Sequence, residues 1–336
     1  TYIYIAIRRG PMKVPTDASK VFTPQTTGNG TLSSQIEYPD TILNYNLAAT
    51  AGWQMVDRLR NLLDGFTANT SGNTTTNPYL ITNSTAAEST SNCRVGGLGI
   101  ARGIATQGSW FPADPGTIAS GNFATVYFFK RAPSFMDVVC YTGTGSATTF
   151  SHNLQAVPEL MIVKPRLTAG KSWWVYSAAT TNADYLLLNT TGARATASAV
   201  WNNTTPTASV FSVGTGGQTN IASEPTVAYL FATCAGVSKV GSYTGTGTTL
   251  QINCGFTAGS RFILIKRTDS TGDWYVWDTA NGIVAGNDPY LLVNSASAQV
   301  TGTDYVDTYN AGFELSSTAP AALNANGGTY IFLAIA

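Results

Sequence analysis

The chain has 336 residues, with 18 Lys and Arg against 18 Asp and Glu and a formal net charge of zero. That balance argues against a nucleic-acid partner, which needs clustered basic residues to neutralise phosphates; adjacent basic residues occur only as pairs, such as Arg8-Arg9 and Lys130-Arg131. Charged residues make up 11% and aromatic residues another 11%, too aromatic a composition for a disordered chain, and no apolar run approaches the roughly 18 residues of a membrane-crossing helix.

In chain order, Tyr2-Ile3-Tyr4-Ile5-Ala6-Ile7 alternates bulky residues without a basic lead, which predicts a strand rather than a signal peptide. It is similar to strands that close later segments, so residues 1–10 are expected to close a preceding unit of a longer natural polypeptide. Residues 11–33 hold Pro11, Pro15, Pro24, Gly28 and Gly30 with few apolar anchors, and are expected to be a linker or arm. Residues 34–132 are expected to form a divergent unit, with strands at Trp53-Gln54-Met55-Val56-Asp57, at Asn77-Pro78-Tyr79-Leu80-Ile81 and, closing it, at Thr125-Val126-Tyr127-Phe128-Phe129. Within it, Leu59, Leu62 and Leu63 fall on one face of a short helical fragment beginning at Val56. Thr67 to Asn77 and Val213 to Asn220 are neutral polar loops.

The two remaining units, residues 133–234 and 235–336, repeat each other. Tyr141-Thr142-Gly143-Thr144-Gly145 recurs as Tyr243-Thr244-Gly245-Thr246-Gly247, 102 residues later (243 minus 141). Leu160-Met161-Ile162-Val163-Lys164 recurs at the same offset as Phe262-Ile263-Leu264-Ile265-Lys266, and Phe211 as Phe313. Trp173-Trp174-Val175-Tyr176 answers to Trp274-Tyr275-Val276-Trp277, and Tyr185-Leu186-Leu187-Leu188-Asn189 to Tyr290-Leu291-Leu292-Val293-Asn294, with offsets drifting from 101 to 105 as loops change length. Closing strands are expected at equivalent positions near Phe128, Leu230 and Phe332. Short aromatic and β-branched runs between Gly, Asn, Asp and Thr clusters predict an all-β chain, a tandem array of three related antiparallel β-sandwich-like units. Alternation places Trp274 and Val276 on one face of their strand and Tyr275 and Trp277 on the other.

Motifs for chemistry are sparse. The one histidine, His152, has no counterpart in the last unit, which disfavours a triad, and no GxSxG elbow occurs. A pair of carboxylates for glycoside cleavage could be drawn from Asp269, Asp273, Asp278 and Asp288. The Tyr-Thr-Gly-Thr-Gly segments lack a phosphate loop's ending and read as hairpin turns, and Asn287-Asp288-Pro289 reads as a turn rather than a Ca²⁺ cage. Cys93, Cys140, Cys234 and Cys254 form no CxxC pair and are expected to be free buried thiols. Neither a metal nor a cofactor is expected. Trp274, Tyr275, Trp277, Asp278 and Asn281 concentrate aromatic faces and hydrogen-bonding groups suited to a sugar ring; the alternative is that the aromatics fill a core.

The Tyr-Thr-Gly-Thr-Gly turn, the run from Trp274 to Asn281, the Tyr290–Asn294 strand and the ending from Ala322 to Ala336 resemble repeated β-domains of tailed-phage fibres and related virion proteins. Val56-Asp57-Arg58-Leu59-Arg60 and Asn83-Ser84-Thr85-Ala86-Ala87-Glu88 resemble further signatures of those domains. The resemblance implies a non-catalytic structural and host-surface-binding component of a virion tail or fibre. It also implies a homo-oligomer, with a trimer favoured, and as partners other tail proteins and a host glycan or protein receptor. The alternatives are a tailspike-like polysaccharide depolymerase and a purely structural decoration or baseplate protein.

Overall fold

A computed structural model describes residues 12–27, 39–46, 52–60, 77–93, 112–113 and 124–336. The strand expected within residues 1–10, Leu62 and Leu63 of the expected helical fragment, and most of the loop from Thr67 lie outside the described residues.

The fold is nearly all β, and its three larger sheets are antiparallel with a common spatial order of strands. The first runs Phe22–Thr27, Ala124–Phe129, Thr41–Asn46, Gln54–Asp57, Asn77–Ile81, Ser89–Cys93 and Pro112–Ala113. The second runs Met136–Thr142, Pro225–Phe231, Leu160–Pro165, Trp174–Ser177, Asp184–Leu187 and Ala195–Thr196. The third runs Ser238–Thr244, Thr329–Ile335, Phe262–Arg267, Trp274–Asp278 and Leu291–Leu292. In each, the strand that comes last among the shared core strands is inserted beside the first, so the middle of the sheet joins distant parts of the sequence.

Both faces of the second and third sheets are covered, which is why their strands read as nearly continuous apolar runs. Over the outer face of the second lies the pair Thr148–Ser151 and Val210–Val213, around a core of Met161, Val163, Tyr176, Trp201, Phe211 and Leu230. Over the third lie Leu250–Asn253, Gly312–Leu315 and Val306–Tyr309, enclosing Ile263, Ile265, Trp277, Phe313 and Phe332. The Tyr-Thr-Gly-Thr-Gly segments are the corners where the chain leaves the larger sheet for the smaller one, not hairpin turns. A Cβ on Gly143 or Gly245 would stand 2.1 Å from Ile221 O or 2.3 Å from Ala325 O, while Gly145 and Gly247 have φ of 73° and 71°. Thr144 N–H donates to Asn220 Oδ1 (2.7 Å) and Thr246 N–H to Asn324 Oδ1 (2.8 Å), so the motif recurs because the corner docks on an asparagine.

The inner faces of all three sheets meet in one core. Tyr127, Phe129 and Phe22 of the first sheet, Phe231 of the second and Phe262 of the third form an aromatic junction, with Tyr127 and Phe262 edge to face at 5.1 Å and Phe129 and Phe231 at 6.0 Å. Polar bonds close the arrangement cyclically. The indole N–H of Trp173 in the second sheet donates to Ile81 O of the first (2.9 Å), that of Trp274 in the third to Leu187 O of the second (2.9 Å), and that of Trp53 in the first to Leu292 O of the third (3.0 Å). A second set runs parallel to it. The fully buried Lys164 and Lys266 bond Thr85 O and Thr191 O on the preceding sheet, and Tyr45, which takes the corresponding strand position in the first sheet, bonds Ser297 O of the third. Burial pulls both lysines down to about 8.

The structure corrects several expectations. The segment read as a linker contains the short helix Ala18–Lys20 and the strand Phe22–Thr27, whose Phe22 is fully buried. Pro24 is tolerated because, among the described residues, this is an edge strand paired on one side only. Val56 and Asp57 end a strand, and among the described residues of the fragment Arg58–Arg60 form a 3-10 turn, with Leu59 exposed. Cys234 and Cys254 are buried free thiols, but Cys140 is exposed. The closing strand of the third sheet is shifted by two residues: Phe129 O, Phe231 O and Ile335 O accept equivalent bonds from Asp40, Glu159 and Arg261 N–H, so Phe128 and Leu230 correspond to Ala334, not Phe332. Two residues enter the connection between Phe313 and Asn324. A shift of two keeps every side chain on its face, so the apolar pattern does not reveal it.

Replacing Trp173 by Phe keeps most of the ring and removes one of two donors to Ile81 O, which retains Ser84 N–H (3.2 Å), and should cost about 0.5–1.5 kcal/mol; replacing it by Ala should cost about 3–5 kcal/mol. Urea unfolding measures both, and an unchanged midpoint for Trp173→Phe would show that the seam bond contributes nothing.

Candidate functional site

The aromatic cluster singled out in the sequence is internal. Trp274 and Val276 face the shared core, Tyr275 and Trp277 the outer core of the third sheet, as alternation predicts, but both indoles are buried, at 1% and 0% exposure. Tyr275 is also buried and stacks on Trp277 with centroids 5.8 Å apart. Of the two expectations, core packing of these aromatics holds, and a ring free to stack on a sugar is corrected. In a sheet covered on both faces, alternation selects which core a ring enters, not whether it enters one.

Asp278 and Asn281 belong to the seam between the third and first sheets. Asp278 is buried and accepts Tyr127 O–H (2.8 Å), Ala280 N–H (2.8 Å) and Asn281 N–H (2.9 Å), while burial pushes its pKa up against these bonds. Asn281, half-buried, donates through Nδ2 to Asp278 Oδ2 (2.6 Å) and Thr125 Oγ1 (2.9 Å). Asp57 holds the matching place between the first and second sheets, where it accepts Tyr229 O–H (2.7 Å) and the backbone of Leu59 and Arg60. Between the second and third sheets that place is Ser177, and the residue corresponding to Tyr229 is Leu333. Acid and hydroxyl are absent together, so neither is left buried without its partner.

The seam between the first and second sheets also holds a charged network. Arg60, 2% exposed, bonds Asp57 through Nε, Glu88 through Nη1 (2.9 Å) and Met55 O through Nη2 (2.8 Å). Arg166 grips Glu88 with Nε (2.9 Å) and Nη2 (2.8 Å). Burial acts against the Arg60 charge, but Tyr229, Asp57 and Glu88 override it and hold its pKa above the ordinary value.

The acids weighed for glycoside cleavage are dispersed in their roles. Asp269 pairs with Arg267 (2.9 Å), Asp273 accepts Asn294 Nδ2–H (2.7 Å) and Asp278 sits in its seam. Asp288 alone joins other acids. Fully buried, it accepts Val284 N–H (3.0 Å) and Val306 N–H (3.3 Å), and carboxylate oxygens of Asp288, Asp304 and Asp307 lie within 4.8 Å of one another. Sequence reading missed Asp304 and Asp307, which are half-buried; their three-residue spacing carries no signal until the fold brings Asp288 to them. Three carboxylates are part of a hard-cation donor set, short of the roughly 6–8 oxygens of a Ca²⁺ site. His152 is buried; its Nδ1 accepts Leu154 N–H (3.3 Å), which makes Nε2 the protonated nitrogen that donates to Thr207 O (3.1 Å), and burial lowers its pKa.

Burial, reinforced by Asp307 and Asp304, raises Asp288 to about 6. Its folded pKa exceeds the unfolded value of about 3.9, so the protonated carboxyl favours folding below that value, and this contribution is lost as pH rises through about 6. Asp304→Asn removes one of the repelling charges. It should stabilise the protein more near pH 7 than near pH 4, by about 0.5–1 kcal/mol after solvent screening of the half-buried carboxylate. Urea unfolding at the two pH values checks this; an equal effect at both would contradict it.

No curated protein matches the chain. A family profile described as a domain of unknown function, DUF7483, matches residues 117–336, which take in the closing strand of the first sheet and the whole of the second and third. With well over half of its length inside that profile, the chain belongs to the DUF7483 family.

Proposed function

We propose that this chain is a non-catalytic structural and host-surface-binding component of a phage tail fibre or related virion appendage, built from three related β-sandwich-like units. The observation that carries this reading is the cyclic set of seam bonds, in which Trp53, Trp173 and Trp274 occupy matching positions and each reaches a neighbouring sheet. Bonds that return to their starting sheet resist bending and shear together, which suits a load-bearing spacer. The large aromatics serve the cores, so contact with a host glycan or protein falls to the exposed Thr- and Asn-rich loops. A homo-oligomer, with a trimer favoured, is part of this reading, as the resemblance implies.

A polysaccharide depolymerase is the second reading, favoured by one observation: Asp288, raised to about 6, stands beside Asp304 and Asp307. Release of reducing sugar from host polysaccharide, lost in Asp304→Asn and Asp307→Asn, would establish it over the first. A decoration or baseplate role would place the chain elsewhere in the particle.

Antibody labelling of intact particles should mark the tail or fibre, and excess purified chain should slow adsorption of particles to host cells. Labelling confined to the capsid, or adsorption unchanged at saturating chain, would remove the attachment role. Light scattering on the purified chain should give a multimer; a monomer at every concentration tested would count against the oligomer.

A further inference from the structure

Two of the seams can be compared position by position, because the same backbone bonds cross both. Between the first and second sheets Glu88 N–H donates to Arg166 O and Gly170 N–H to Thr85 O; between the second and third, Arg194 N–H donates to Thr268 O (2.9 Å) and Gly272 N–H to Thr191 O (2.9 Å). Glu88 thus corresponds to Arg194 and Arg166 to Thr268. Asp57 and Ser177 end matching strands, opposite Thr41 and Leu160, so Arg60 and Thr180, each three residues on, correspond as well.

At the first of these seams Arg60 and Arg166 converge on Glu88 and fill the space. At the second, threonine replaces both guanidinium arms, and a cavity of about 420 Å³ opens at the same positions. Thr180, Ser242, Thr244, Thr268, Thr329 and Arg194 line it; the Thr180 hydroxyl donates to Ser177 O (3.0 Å) and those of Thr268 and Thr329 bond each other (2.7 Å), whereas the hydroxyls of Ser242 and Thr244 bond no described residue. Arg194 commits Nη1 to Asp184 (2.8 Å), and its remaining donors bond no described residue. Asp184 is served besides by Thr196 Oγ1–H (2.7 Å) and Thr181 N–H (3.1 Å), so it does not depend on Arg194 alone.

We propose that this cavity binds a carboxylate-bearing monosaccharide, a hexuronate at an end or branch of a polysaccharide. Its volume falls in the range of small-molecule sites, roughly 300–1,000 Å³. Hydroxyl side chains donate and accept, as sugar hydroxyls require, and the free edge of a guanidinium matches a carboxylate in a two-bond fork. The binding chemistry stands apart from the attachment reading; only its use on a host surface rests on that reading.

Calorimetric titration of the whole chain with glucuronate, glucose and acetate tests this. Glucuronate should bind saturably in the millimolar range, with glucose and acetate at least about tenfold weaker. Arg194→Gln should reduce glucuronate binding to the level of glucose. Ser242→Trp, which puts an uncharged ring at an exposed lining position, should abolish binding while leaving the unfolding midpoint unchanged. Equal affinity for glucose and glucuronate, binding that survives Ser242→Trp, or no saturable glucuronate binding by the folded chain overturns the proposal. Adsorption is read separately: glucuronate binding without any effect of the chain on adsorption would leave the site standing and remove the attachment role.

Discussion

Each of Trp53, Trp173 and Trp274 donates its indole N–H to a backbone carbonyl of the neighbouring sheet, where a buried donor left unmet would be costly. Apolar burial alone would let three faces slide against one another, because it has no direction. The indoles remove that freedom: each ring fills the shared core with its body and sets the position of the next sheet with its edge. Since the bonds run from second to first, third to second and first to third, displacing one sheet disturbs bonds on both sides of it.

The same constraint explains the buried polar residues. Lys164 and Lys266 are fully buried, and bonds to backbone carbonyls hold their ammonium groups across the seams. Tyr229 with Asp57 and Tyr127 with Asp278 are buried pairs whose members would each be costly alone. In the remaining seam both members change together, to Leu333 and Ser177. A seam can therefore change its polar contents, but in matched pairs.

Equivalent seams have diverged in what they hold. The first is filled with two guanidinium groups and their carboxylates, the third with Asn281 bonded to Thr125 and Asp278, and the second is left open beside Arg194. Where the same backbone frame recurs, filling one seam supports the fold and vacating another creates space for a ligand without changing a strand. Family membership over residues 117–336 includes that open seam but names no activity for it.

Local pattern alone determined the strand-rich class, the facing of Trp274 and Trp277 and the matching of Lys164 to Lys266, because a period of two and a recurring spacing are properties of the chain itself. It could not determine burial of both indoles, since that depends on a second layer covering each sheet. Nor could it show the two-residue shift of the last strand, which preserves the alternation, or the meeting of Asp288 with Asp304 and Asp307 across a loop. The edge strand Phe22–Thr27 was hidden by Pro24, a breaker in a central strand but harmless at an edge. The Arg60–Glu88–Arg166 network and the cavity at the matching seam are contacts between sheets. Only the tertiary structure decided them, because neither residue spacing nor composition specifies which sheet lies beside which.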